Sequence, residues 1–339
     1  MNHQSNQHIV PLLMEQLSEI KPYPAGQRLL KLLCSALNDV SIYKDWKKIA
    51  SGAYGTIFQC GTGLPEPKEV AIKLMSFPES IFDRCVLHDI FSEITCLEYF
   101  RLHSSVVNIY DFGVTNNDYF IVMKKYPLSL RAWRLKEEKP IKKYLQLFLK
   151  IFMSILQAVK ILHANNVTHY DLKCDNILVD IADEVNPIDN LPEVKVTLAD
   201  FGECKIFLNE DEEFDFKDRG TECVRAPEML LLNRNARKES DTFDRRQKLG
   251  TTRISDVWSL GCLFYELLTG NFLFYNPNFA EFYTRVISDK EPVLTDKNTN
   301  ELDNNIYIID FLKYILVRKA PHRPTVDYVL KKCENLCSL

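Results

Sequence analysis

No one sign of charge dominates this 339-residue sequence: 42 lysines and arginines stand against 46 aspartates and glutamates, for a net charge of -4. That balance lacks the electrostatic footprint of a nucleic-acid binder or of a protein held on an anionic membrane surface. Long apolar runs are lacking too. The most apolar segment, Leu145 to Leu162, is interrupted by Gln146, Lys150, Gln157 and Lys160. A membrane span takes about 20 residues with few charges, so this segment reads as a long, mostly buried helix and no membrane span is expected. The opening residues MNHQSNQHIV have neither the basic start nor the apolar run of a secretory signal. No internal repeat is visible. The ten cysteines are scattered, and Cys333 and Cys337, four apart, have no second ligand pair to make a zinc site. These absences leave a globular chain with reduced thiols, expected in the cytoplasm.

What is present is ordinary in bulk, 46% hydrophobic and 26% charged, and long enough for two domains or one bilobed domain with ample core. Residues 1–45 carry two stretches, VPLLMEQLSEI and QRLLKLLCSALNDV, with apolar residues at helical spacing. The segment KPYPAG breaks them. This is a helical leader, with a possible partner to bind. From Trp46 the texture is that of strands: KKIASGAYGTIFQCG and KEVAIKLMS, then a helix over about 81–102, then VVNIYDF and YFIVMKK. Beyond Tyr126 helix dominates, with two short strands, NILV and VKVTLAD, embedded in it. A small strand-rich part, about 46–123, followed by a larger helical part, about 124–339, predicts an α+β chain of two lobes with a cleft between them.

Four groups of residues point to phosphate chemistry. Ala50, Gly52 and Gly55 lie on a turn between strands, where small residues let backbone approach a phosphate chain closely. Lys73 alternates with apolar residues on the strand that follows. Asp171, Lys173 and Asn176 sit together just before the apolar strand ILV. A carboxylate there can accept a hydroxyl proton, an amide oxygen can hold a metal and an ammonium can offset developing charge. Asp200 directly follows another apolar strand, and a second acid at a strand end suits Mg2+, which prefers oxygen ligands.

Read in order, the segments ASGAYG, VAIK, HYDLKCDN, ADFG, RAPEM, DVWSLG and HRPT resemble those of the eukaryotic protein kinase family from about residue 46 to the C-terminus. The resemblance implies the bilobal protein kinase fold, ATP and Mg2+ as cofactors and proteins as substrates. Gly52 and Gly55 would then cover the nucleotide phosphates, beside Ile49 and Ala50, with Ile57 and Ala71 packing on the adenine. Met123 would flank the adenine pocket, and the backbone around Lys125 would bond the base. Lys73 would hold the α- and β-phosphates with Glu93 as its helix partner, in preference to Glu98, because Leu97 then falls at an apolar core position. Asp171 would orient the substrate hydroxyl and accept its proton, and Asn176 and Asp200 would hold Mg2+. Glu228 would pair with Arg323, and Asp256 would hold the catalytic-loop backbone. Lys173, together with Thr221 bridging it to Asp171, implies serine/threonine specificity. The runner-up is a pseudokinase scaffold that signals by binding.

Two departures stand out. Ala50 replaces the first glycine of the loop, at modest cost where φ is negative. Tyr170 stands where an arginine commonly binds a phosphate on the activation loop. The segment Asp200 to Glu228 has a single hydroxyl side chain, Thr221, already given a role in the site. Phosphate reader and phosphate acceptor are thus missing together, and control by activation-loop phosphorylation is not expected. The same segment carries Glu210, Asp211, Glu212, Glu213, Asp215 and Asp218. A long connection after it carries Arg234, Arg237, Lys238, Arg245, Arg246, Lys248 and Arg253. Solvated loops, a contact between the two, selection of basic substrates and a nuclear-import signal all remain open for these charges. A second, acidic insertion, DIADEVNPIDNLPEVK, reads as a surface excursion between the two short strands.

Overall fold

The computed structural model describes residues 42–52, 55–63, 65–76, 84–115, 118–185, 192–207, 215, 217, 219–236 and 250–338. The expected helical leader thus lies almost wholly outside the described residues. The chain divides into two compact units, Met1–Tyr126 and Pro127–Leu339.

The first unit is an antiparallel sheet of β1 (Lys44–Gly52), β2 (Gly55–Gly61), β3 (Glu69–Ser76), β4 (Ile109–Val114) and β5 (Asp118–Lys124), in the order β1-β2-β3-β5-β4. Helix α1 (Arg84–Tyr99) comes between β3 and β4 in the chain. The period of two along β3 sorts its side chains onto two faces. Val70 and Ile72 join Cys60, Phe120 and Val122 in a buried cluster. Ala71 and Lys73 therefore point to the opposite face, and direct cross-strand pairing puts Ile57, Ile121 and Met123 on that face with them. β1 lies at the sheet edge and is exposed along its whole length.

The second unit begins with β6 (Leu128–Ser129), α2 (Leu130–Lys136), α3 (Ile141–Ala164), β7 (Val167–Thr168), β8 (Ile177–Val185), β9 (Pro192–Leu198) and β10 (Lys205–Ile206). Helices follow: α4 (Pro227–Ala236), α5 (Ile254–Thr269), α6 (Phe279–Ile287), α7 (Asp296–Glu301), α8 (Ile306–Ile315) and α9 (Val326–Cys337). The strands form two small sheets, β6-β8-β9 and β7-β10. Helix α3 is long and apolar enough to cross a membrane by length and composition alone. Here it is a core helix: Phe152 stacks on Phe264 of α5 with centroids 4.2 Å apart, and Phe311 of α8 meets both rings edge-on. Helix α5 is buried at every position from Ser255 to Leu268, as expected of a helix apolar on nearly all sides.

The acidic insertion differs from its reading as an excursion between short strands. β8 continues to Val185 and β9 begins at Pro192, with Ile181 opposite Val194 and Val185 opposite Pro192. Strand pairing gives the backbone of the insertion's flanks their hydrogen bonds, so most of the insertion lengthens a hairpin. Cys333 and Cys337 occupy one face of α9, the first buried and the second half-buried.

Candidate active site

In the first unit the central feature is a buried ion pair. Lys73 Nζ lies 2.8 Å from both carboxylate oxygens of Glu93, and the two residues are only 4% and 2% exposed. The helical period explains the choice of acid. Glu93 shares the inner side of α1 with Ile90, Ile94 and the fully buried Leu97, whereas Glu98 turns to the exposed Arg101 at 3.7 Å. A salt bridge this dry holds its geometry because separating two buried charges is costly. Ile57, Ala71 and Met123 share the Lys73 face. Ala50 pairs opposite Ile57 and Gly52 opposite Gly55.

Gly55 has a specific reason to be glycine. Its φ is +141°, and a Cβ there would lie 2.2 Å from the Leu74 carbonyl oxygen. Ala50 is not among the residues with positive φ, so the departure from glycine strains nothing at that position. Two expected residues stand apart from this cluster. Ile49 is half exposed on β1, and the Lys125 side chain is taken up by Glu69 at 2.6 Å, leaving only its backbone for the expected role.

In the second unit, Asp171 is the hub. Its Oδ1 accepts the Thr221 N–H at 2.8 Å, and its Oδ2 accepts from Lys173 Nζ at 2.8 Å and from Asn176 Nδ2 at 2.9 Å. Lys173 Nζ also donates to Thr221 Oγ1 at 2.5 Å. Carboxylate, ammonium and hydroxyl thus form one closed set. The loop that carries them hangs on a second carboxylate, Asp256, which is fully buried in the first turn of α5. Asp256 accepts the backbone N–H of His169 at 2.9 Å and of Tyr170 at 2.8 Å, and lies 2.9 Å from His163 Nε2. Glu228 and Arg323 pair through two contacts, at 2.8 and 3.0 Å.

Strand pairing places the two expected metal ligands side by side. Ile177 stands opposite Leu198, and the Ala199 N–H donates to the Asn176 carbonyl at 2.9 Å. Asn176 and Asp200 therefore flank the same end of the β8–β9 pair. Both hydrogen bonds from Asn176 Nδ2, to the Asp171 backbone oxygen and to its carboxylate, are 2.9 Å long. This commits the amide nitrogen and leaves the amide oxygen as the atom for a cation. An amide oxygen and a carboxylate fit Mg2+, which takes few protein ligands and keeps water and phosphate oxygens for the rest. Among the described residues no group of three or more His, Cys, Asp or Glu could hold a metal on its own.

Tyr170 carries the feature that sequence reasoning could not reach. It is 1% exposed, with φ +64°. Its hydroxyl donates to the Thr251 carbonyl at 3.2 Å and accepts from Thr251 Oγ1 at 3.1 Å. Burial pushes the phenol well above its ordinary pKa, so it remains a neutral hydroxyl. Thr251 pairs in an antiparallel bridge with Asp215 of the acidic segment, and the Asp215 carboxylate accepts from Arg219. The long basic connection therefore does meet the acidic segment, through the backbone of Thr251. Of the charges singled out, Glu210, Asp211, Glu212, Glu213, Asp218, Arg237, Lys238, Arg245, Arg246, Lys248 and the Arg234 side chain lie outside the described residues. Arg253 donates to the His163 carbonyl at 3.2 Å.

Comparison with known proteins agrees with this geometry. The protein kinase domain family matches residues 43–333, and the chain belongs to that family. A probable serine/threonine-protein kinase of Dictyostelium discoideum is 42% identical over 98% of this chain, which spans 14% of that protein. The serine/threonine-protein kinase ULK3 of Xenopus laevis is 27% identical over 86% of the chain and 58% of its own length. The dual specificity protein kinase TTK of Mus musculus is 29% identical over 88% of the chain and 32% of its own length. The chain thus spans less than two thirds of each of these relatives.

Proposed function

We propose that this chain is an ATP-dependent serine/threonine protein kinase that transfers the γ-phosphoryl group of ATP to protein hydroxyls. The observation that carries the reading is the closed set of Asp171, Lys173 and Thr221, with contacts of 2.5 to 2.8 Å. Asp171 orients a serine or threonine hydroxyl and takes its proton as the oxygen attacks the γ-phosphorus and ADP leaves. Lys173 sits against that carboxylate and offsets the charge that develops on the transferred group. In the first unit, Lys73, held by Glu93, presents its ammonium to the α- and β-phosphates, and Gly55 brings backbone close to them. Mg2+, when bound through Asn176 and Asp200, neutralises phosphate oxygens. Little covalent chemistry falls to the protein, so the rigidity of these contacts is the main contribution.

We further propose that activation-loop phosphorylation does not control the enzyme. The one hydroxyl side chain from Asp200 to Glu228 is engaged with Lys173, and Tyr170, in the place of the phosphate-reading arginine, is buried against Thr251. We also propose a reducing, cytoplasmic setting, on the scattered cysteines of the sequence.

The test is transfer of label from γ-labelled ATP to a generic protein substrate in the presence of Mg2+. Wild type is expected to transfer, and Asp171→Asn to lose about 100-fold or more. Mg2+-dependent ATP binding without transfer by wild type would make the chain a binding scaffold instead.

A further inference from the structure

We infer that Thr251 is a positioning residue for the phosphoryl-transfer site, and that with Tyr170 it forms a clamp that orders the activation segment without a phosphate. This rests on the kinase reading above and supplies the device that its phosphate-independence requires.

The contacts form a closed circuit. Tyr170 is the residue immediately before Asp171. Its hydroxyl exchanges two hydrogen bonds with Thr251, which is itself 1% exposed. The Thr251 N–H donates to the Asp215 carbonyl and its own carbonyl accepts the Asp215 N–H, both at 2.9 Å, and Oγ1 adds a bond to the same Asp215 carbonyl at 3.2 Å. The Asp215 carboxylate holds Arg219, whose guanidinium also donates to the Glu203 carbonyl at 2.9 Å and lies 5.8 Å from the Tyr170 ring centroid. Gly220 follows, with φ +76° and so close to Tyr170 that a Cβ would fall 2.3 Å from the Tyr170 carbonyl oxygen. The next residue, Thr221, returns the circuit to Asp171.

Each link is neutral or internally paired. The cation comes from the segment itself as Arg219, faced by the Asp215 carboxylate and, at 3.9 Å, by that of Glu203, so no added phosphate is needed to balance the guanidinium. A buried network of this kind specifies one arrangement only when its members are all satisfied. Here the single proton of the Thr251 hydroxyl is shared between two acceptors, the Tyr170 hydroxyl at 3.1 Å and the Asp215 carbonyl at 3.2 Å. Its removal loosens the segment that supplies Thr221, while the residues assigned to ATP in the first unit are untouched.

The test compares Thr251→Val, which keeps the shape and removes the hydroxyl, with Thr251→Ser, which keeps the hydroxyl, and with Tyr170→Phe. Steady-state kinetics would be measured on the full chain with a generic protein substrate. Loss of one or two buried hydrogen bonds predicts a fall in kcat/KM for that substrate of about 3- to 30-fold in Thr251→Val and Tyr170→Phe. The KM for ATP should stay within about twofold, and Thr251→Ser should recover most of the loss. The double variant Tyr170→Phe, Thr251→Val should lose less than the product of the two single losses, because both remove the bond between the two hydroxyls and each removes only one further bond of its own. Unchanged kinetics in Thr251→Val, equal damage in Thr251→Ser, or a matching loss of ATP affinity would each overturn the clamp. If Thr251→Val fails to fold, Tyr170→Phe alone decides, by the same criteria. Phosphatase treatment of wild type separates the two readings. A fall in activity there overturns phosphate-independence and the clamp with it, whereas a null effect beside silent variants overturns the clamp alone.

Discussion

The backbone N–H of Thr221 donates to Asp171 Oδ1 at 2.8 Å while the Thr221 hydroxyl accepts from Lys173 at 2.5 Å. One residue of the activation segment therefore meets both the proton acceptor and the neighbouring cation. Thr221→Val keeps the first bond and removes the second, which is charge-assisted. The expected loss in kcat is about 10- to 100-fold, with Thr221→Ser close to wild type. Parallel kcat measurements on the two variants check this.

The Lys73–Glu93 pair should show its cost on being broken. Glu93→Gln removes the carboxylate charge bonded to the buried Lys73 ammonium, so unfolding in denaturant is expected to lose about 3 kcal/mol, and the ATP-induced thermal shift should shrink. Glu98→Gln removes only the exposed contact with Arg101 and should change stability by less than about 1 kcal/mol. Equal effects of the two substitutions would contradict the assignment of Glu93.

Restoring the family arginine should harm this protein. Tyr170→Arg places a second guanidinium in a dry site where Arg219 already sits near the ring and Asp215 is already engaged. Burying a second cation beside an acid that is already paired is expected to cost about 3 kcal/mol. The variant is expected to unfold at lower denaturant and to transfer less phosphate, the reverse of what resemblance to the family alone would suggest.

Cys223 lies two residues from Thr221 and is half-buried. Burial, reinforced by the nearby Glu266 carboxylate, pushes its thiol up to about 12. The thiolate is the reactive form, and an ordinary cysteine titrates near 8.5, so at pH 8 the native residue should alkylate about a thousandfold more slowly than in the unfolded chain. The rate should rise with pH well beyond 9. Mass spectrometry of iodoacetamide adducts in buffer and in denaturant measures it.

Much of the site was legible because its residues are set by local rules. Lys73 faces away from Val70 and Ile72 by strand alternation, whereas Glu93 rather than Glu98 was implied by the family resemblance, which puts an apolar core residue at Leu97. Asp171, Lys173 and Asn176 are near neighbours in the chain, so their spacing alone brought them together. Thr251 was illegible for the opposite reason. It lies 81 residues from Tyr170, in a connection whose composition showed only its positive charge, and its partnership depends on burial that no local pattern encodes. The same holds for Arg219, which no local pattern singles out and which is 3% exposed. The β8–β9 hairpin was underestimated because charge and proline in the insertion outweighed its weak alternation.

Helix α5 also touches the catalytic loop at a second level. Glu266 Oε2 accepts the Cys174 N–H at 3.4 Å, and the Cys174 thiol reaches the Leu263 carbonyl at 3.7 Å. The loop is thus tied to the helix at Asp256 and again ten residues along, a rise of about 15 Å. The helix serves as a ruler for the loop. Adding a single residue between the two ties would advance the far one by about 1.5 Å and turn it by about 100°, carrying Glu266 off the loop altogether. The length of this stretch of α5 is therefore as much a part of the active site as any side chain that meets the substrate.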